Sequence, residues 1–82
     1  YNFDYKEIRI KESKSWWGNC SKNNIITYNW KSILFPEEYI DYLVIHELSH
    51  TIEKNHSKRF WKIVKDIIPN CKEIKKNMRL NT

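Results

Sequence analysis

All three histidines of this 82-residue chain, His46, His50 and His56, fall in one short span together with Glu47. The span opens as His46-Glu47-Leu48-Ser49-His50. Residues four apart on a helix sit one turn apart on the same face. His46 and His50 can therefore offer two imidazole nitrogens to one ion, each roughly 2.0–2.1 Å from zinc. Glu47 is rotated by about 100° from His46 at 3.6 residues per turn. Its carboxylate then sits beside the metal, where it can take a proton from a water that the metal activates. This is the metalloprotease use of His-Glu-x-x-His.

His56 adds a third imidazole, ten residues after His46, the spacing of His-Glu-x-x-His-x-x-Gly-x-x-His sites. Three ligands leave a fourth position open, the mark of a catalytic zinc site rather than a structural one. Three imidazoles suit zinc, here one ion per chain. The glycine position of the longer pattern holds Glu53, so another residue must turn the chain back. Asn55 is the expected one, because asparagine tolerates the left-handed conformation that ends helices. Exposed helix histidines that bind nothing can share this spacing, but they would not gather every histidine into one span.

The elements that must hold these side chains follow from periodicity and punctuation. Residues 1–10 alternate imperfectly through Phe3, Tyr5, Ile8 and Ile10, as a strand does. Residues 11–15 are polar and read as a turn. Residues 16–20 read as a second strand, with Gly18, the only glycine, marking a bulge or a close approach. After a polar turn at residues 21–24, residues 25–30 form a third strand. Ile26, Tyr28 and Trp30 share one face of it, and Ile25, Thr27 and Asn29 the other. A helix starts at Pro36, with Glu37 and Glu38 complementing its dipole. Tyr39, Ile40, Leu43, Val44, Ile45 and Leu48 make it apolar on more than one side, which predicts central burial. Its histidines then face a cleft. Ser57 reads as the N-cap of a second helix, which Pro69 stops. Asn70 and Glu73 open a third, whose Lys72, Lys75, Lys76 and Arg79 share a face. The fold class is α+β, zincin-like, with a small three-stranded sheet over the active-site helix and two further C-terminal helices.

Length predicts one small domain over residues 1–82, marginal alone and helped by a metal. The chain does not begin with Met, so it reads as the C-terminal catalytic part of a longer protein. No apolar run is long enough to span a membrane and no signal pattern opens the chain. Cys20 and Cys71 are too few for a disulfide framework and read as reduced thiols, so the expected location is cytoplasmic. The net charge is +5, and the excess lies in residues 57–82, with eight Lys/Arg against two Asp/Glu. That asymmetry carries the alternative reading, a basic module associated with nucleic acid and holding a structural, non-catalytic zinc. No oxyanion donor stands out; Arg59, Tyr28 and Tyr42 are the choices. Residues 16–20 are expected at the sheet edge beside the cleft. There Trp17, Gly18 and Asn19 would meet an extended polypeptide substrate through backbone hydrogen bonds.

The chain resembles the YgjP-like metallopeptidase domain, a zincin-type family related to the SprT-like proteases, over roughly residues 5–80. The resemblance rests on Trp17-Gly18-Asn19-Cys20, on Tyr28-Asn29-Trp30 with Pro36 and Ile40-Asp41-Tyr42-Leu43-Val44 running into His46-Glu47-Leu48, and on Asn55-His56-Ser57 followed by Phe60-Trp61. It implies zinc at His46, His50 and His56, Glu47 as catalytic base, and a zincin-like fold. Where the family has Arg before Trp-Gly and Ser after it, this chain has Trp16 and Asn19, which bears on substrate preference. Family members also carry more chain on the N-terminal side.

Overall fold

The computed structural model describes residues 2–78. Strands β1 (Glu7–Lys11), β2 (Gly18–Cys20) and β3 (Ile25–Asn29) are followed by a 3-10 helix over Trp30–Leu34. Helices α1 (Glu37–Ser49), α2 (Lys58–Ile67) and α3 (Cys71–Met78) complete the order. The α+β class, the three strands and the three helices agree with the sequence reading.

The sheet order is β1-β3-β2. β2 and β3 form an antiparallel hairpin, with Gly18 opposite Tyr28 and Cys20 opposite Ile26. Its loop is Lys22-Asn23-Asn24, closed by Ser21 N–H to the Ile25 carbonyl at 2.9 Å and Asn24 N–H to the Ser21 carbonyl at 3.1 Å. Asn24 takes φ 61°, the left-handed residue that such a three-residue loop needs. β1 lies parallel to β3 on the other side, Glu7 beside Ile25 and Lys11 beside Asn29. All five of its residues are exposed, so its alternation marks a strand without a buried face.

β3 is central and is buried on both faces from Ile26 to Asn29. An asparagine is a poor strand residue, but Asn29 clamps the preceding loop. Its Nδ2 donates to the carbonyls of Ser13 at 2.7 Å and Trp16 at 3.0 Å. Its Oδ1 accepts from Lys31 N–H at 3.1 Å. Trp30, expected to close the strand, instead opens the 3-10 helix and is half exposed. The Asn29 side chain caps that helix and turns the chain out of the sheet.

α1 lies between two cores, which explains its apolar residues on more than one side. Leu43 packs with Ile26 and Tyr28 of the sheet, joined by Trp17, Cys20, Val44 and Leu48. Tyr42, one residue earlier, packs with Phe60 and Val64 of α2 and Cys71, Ile74 and Met78 of α3. Burying an aromatic side chain of this kind contributes about 1.5–3 kcal/mol. Ser57 caps α2 as expected, its Oγ accepting from Phe60 N–H at 3.3 Å. Cys20 and Cys71 are free thiols. Arg79, expected on the basic face of α3, lies outside the described residues. Among the described residues no helix is long and apolar enough to cross a membrane.

Candidate metal centre

His46, Glu47 and His50 occupy the last turn of α1, with His50 as its C-cap. The end of a helix carries partial negative charge from its unpaired carbonyls, a setting that favours a cation. His46 and Glu47 are wholly buried, and His50 nearly so. His56 reaches them from the loop before α2. One nitrogen from each of His46, His50 and His56 lies within 4.8 Å of the others. The His46 and His56 Nε2 atoms are 3.4 Å apart. Two nitrogens that each sit about 2.0–2.1 Å from a tetrahedral ion are separated by about that distance. The donor set and the His46–His56 spacing therefore fit zinc.

The chain returns to His56 without the left-handed residue expected at Asn55. Among the described residues, positive φ outside glycine occurs at Asn24 alone. α1 instead unwinds through successive turns, with Thr51 N–H on the Leu48 carbonyl at 3.0 Å and Ile52 N–H on the Ser49 carbonyl at 3.1 Å. Side chains reinforce this exit: Thr51 Oγ1 donates to the Leu48 carbonyl and Ser49 Oγ to the Ile45 carbonyl, both at 2.7 Å. A residue that keeps φ negative can follow such turns, which makes a glycine or an αL asparagine unnecessary.

The partners of the histidines set their orientation. His50 Nδ1 lies 3.0 Å from the Glu53 carbonyl oxygen, which can only accept. Nδ1 therefore carries the proton, and Nε2 presents its lone pair to the cluster. Burial pushes the His50 imidazole below its ordinary pKa, with the Glu53 carbonyl working in the other direction. Burial thus favours the neutral form, the one that binds a metal. Tyr42 Oη stands 3.3 Å from His46 Nδ1. Phe60 forms the apolar floor: its ring stacks on His50 at 4.4 Å and meets His46 and His56 edge-on at 5.1 and 5.0 Å.

Glu47 lines a cavity of about 320 Å³ with His50, His56, Asn19, Cys20, Lys22 and Lys54. β2 passes directly over the carboxylate. A Cβ built on Gly18 would lie 3.1 Å from Glu47 Cγ and 3.2 Å from its Oε2. The lone glycine therefore marks a close approach, and what approaches is the Glu47 side chain. The other two residues expected at the substrate are placed differently. Asn19 lines the cavity. Trp17 packs against Phe35, with ring centroids 4.6 Å apart, and borders a separate cavity with Asn29.

The three oxyanion choices are also placed. Tyr28 Oη donates to the Val44 carbonyl at 3.0 Å, and Tyr42 Oη is engaged with His46. Burial raises both phenols well above the ordinary tyrosine range. Arg59 is exposed and does not border the cavity. Lys54, which the sequence did not single out, does border it. Its Nζ donates to the Ser21 carbonyl at 2.9 Å, approaches Asn24 Oδ1 closely, and lies 3.6 Å from Cys20 Sγ. Burial raises the Cys20 thiol pKa, and the Lys54 ammonium opposes that rise. A lysine between two site histidines was the available signal, but nothing local says that its side chain crosses to the hairpin.

A three-stranded sheet against a helix that ends in a histidine cluster with a buried glutamate describes a metal-dependent hydrolase. The family model for the YgjP-like metallopeptidase domain matches residues 1–81, and the chain belongs to that family. It is also similar to the crystal structure of the metallopeptidase zymogen of Pyrococcus abyssi abylysin. The TM-score is 0.78 at 31% identity, over 88% of this chain and 73% of that one. No curated protein matches the chain.

Proposed function

We propose that this domain is a zinc-dependent peptidase, with His46, His50 and His56 as ligands of one ion and Glu47 as general base. The observation that carries the reading is the convergence of three imidazoles within 4.8 Å beside a cavity that His50, His56 and Glu47 line. A zinc ion held there would supply Lewis acidity, polarising a peptide carbonyl and acidifying water. Glu47 takes the proton of the attacking water and returns it to the leaving amine. Gly18 keeps the carboxylate on the cavity side by leaving room for Cγ beneath β2. Phe60 and Trp61 wall the cluster with apolar surface, which strengthens electrostatic interactions inside it. β2 is an edge strand, so an extended peptide can add to it by backbone hydrogen bonds. Asn19 on β2 borders the cavity and marks where that peptide would reach the reacting atoms.

The test is zinc content and peptide hydrolysis, measured together on the wild-type chain, His56→Ala and Glu47→Gln. The wild-type and Glu47→Gln chains should each hold about one zinc, and His56→Ala far less. Hydrolysis should fall by about 10²–10⁴-fold in Glu47→Gln, the usual worth of a general base. A Glu47→Gln chain that cleaves peptides at the wild-type rate overturns the assignment.

A further inference from the structure

Beside the metal centre lies a second cavity, of about 460 Å³, lined by His56, Trp61, Cys71 and the lysines 58, 62, 65 and 72. Its volume falls in the range of about 300–1,000 Å³ typical of ligand clefts. Lys58, Lys62 and Lys65 follow one another at helical spacing along one face of α2. Lys72 faces them from α3, and Lys75 places its Nζ 4.4 Å above the centroid of the Trp61 ring. The two acidic residues of this half, Asp66 and Glu73, do not border the cavity. The lysines thus gather like charge around an indole floor, a field that anionic groups would relieve.

The geometry points to a subsite for acidic side chains of the substrate: we propose that this peptidase prefers peptides with Asp or Glu flanking the scissile bond. The inference rests on the peptidase reading above. It is carried by continuity as well as charge, because His56 borders both this cavity and the one that holds Glu47. A peptide crossing the metal centre would place neighbouring side chains in the lysine cavity, since an extended chain advances only about 3.3 Å per residue. A nucleic acid fits less well. The indole already carries Lys75 and a near-parallel His56 ring 5.9 Å away, so it is not an open stacking platform of the kind single strands use.

The test uses the zinc-loaded chain and two quenched fluorescent peptides with the same cleavable centre. One is flanked by Asp and Glu, the other by Asn and Gln. With several exposed lysine–carboxylate pairs, the acidic peptide should be favoured roughly tenfold at low salt. The preference should lie in KM and shrink as salt is raised. Lys62→Glu/Lys65→Glu should abolish it, and wild-type zinc content and thermal melt report that the variant folds. Lys72→Glu, on the facing helix, serves if the double variant does not. Equal kcat/KM for both peptides, or an unchanged preference in the charge-reversed chains, overturns the proposal. Anisotropy of the labelled acidic peptide on Glu47→Gln separates the two readings. Binding that the lysine variants lose, with no hydrolysis by wild type, supports the subsite and sinks the peptidase. A single-stranded oligonucleotide of equal charge that binds more tightly and displaces the peptide overturns the subsite in favour of nucleic acid.

Discussion

Replacing Gly18 with alanine should slow the enzyme while leaving it folded and loaded with metal. The added Cβ would sit 3.1 Å from Glu47 Cγ, 3.2 Å from Oε2 and 3.4 Å from Cδ. Carbon atoms in good contact lie about 3.5–4.0 Å apart, so Cγ must retreat by roughly 0.4 Å. β2 cannot give way easily, because its ladder ties Gly18, Asn19 and Cys20 to β3. The Glu47 side chain, with its rotatable bonds and the neighbouring cavity it lines, is the softer partner. The displacement therefore falls on the carboxylate. A misplacement of 1 Å costs about 10²-fold in rate, so roughly 0.4 Å should lower kcat by about sixfold. Stability should change little. Gly18 has no positive φ, so alanine gains about 0.4–1 kcal/mol from a less flexible unfolded chain. That gain offsets an overpacking penalty of about 1 kcal/mol. The assay is kcat on a fluorogenic peptide, with zinc content and a thermal melt on the same sample. Gly18→Val should lose more. An alanine variant with wild-type kcat would refute the idea that β2 positions the base. A variant that lost its zinc would show that the strand supports the metal ligands instead.

Two further outcomes follow from named hydrogen bonds. Tyr42→Phe removes the hydroxyl 3.3 Å from His46 Nδ1 and keeps the ring in its core; zinc affinity, measured by chelator competition, should fall about 10–100-fold, the usual effect of losing a ligand's orienting partner. Ser57→Ala removes the side-chain cap on Phe60 N–H and should destabilise by about 1 kcal/mol. On a thermal melt of a domain this size that is a drop of about 4–8 °C; an unchanged melt would mean that the cap does not stabilise α2.

Much of the site can be read along the chain because helical spacing is a local rule. His46 and His50 share a face whatever surrounds them, and Glu47 follows from the same rotation. The Ser57 cap and the stop at Pro69 are equally local. Tertiary structure decided the rest. Parallel pairing of β1 with β3 joins segments on opposite sides of β2 in sequence, and periodicity carries no strand order. The turn expected at Asn55 failed because the end of α1 unwinds with negative φ throughout, held by Ser49 and Thr51 hydroxyls on helix carbonyls. That choice depends on where His56 must arrive. Gly18 announced a close approach in the sequence, but only the packing of β2 on α1 identifies Glu47 as the neighbour. Trp17 reads the same as Asn19 in a strand pattern. Trp17 lies just before β2 and packs on Phe35, while Asn19 lies within β2 and borders the cavity; where the strand begins is set by its pairing with β3, which the alternation does not show. The basic C-terminal half is visible in composition. The chamber beside His56 exists only because α2 and α3 fold back on each other and bring Lys72 opposite the lysines of α2.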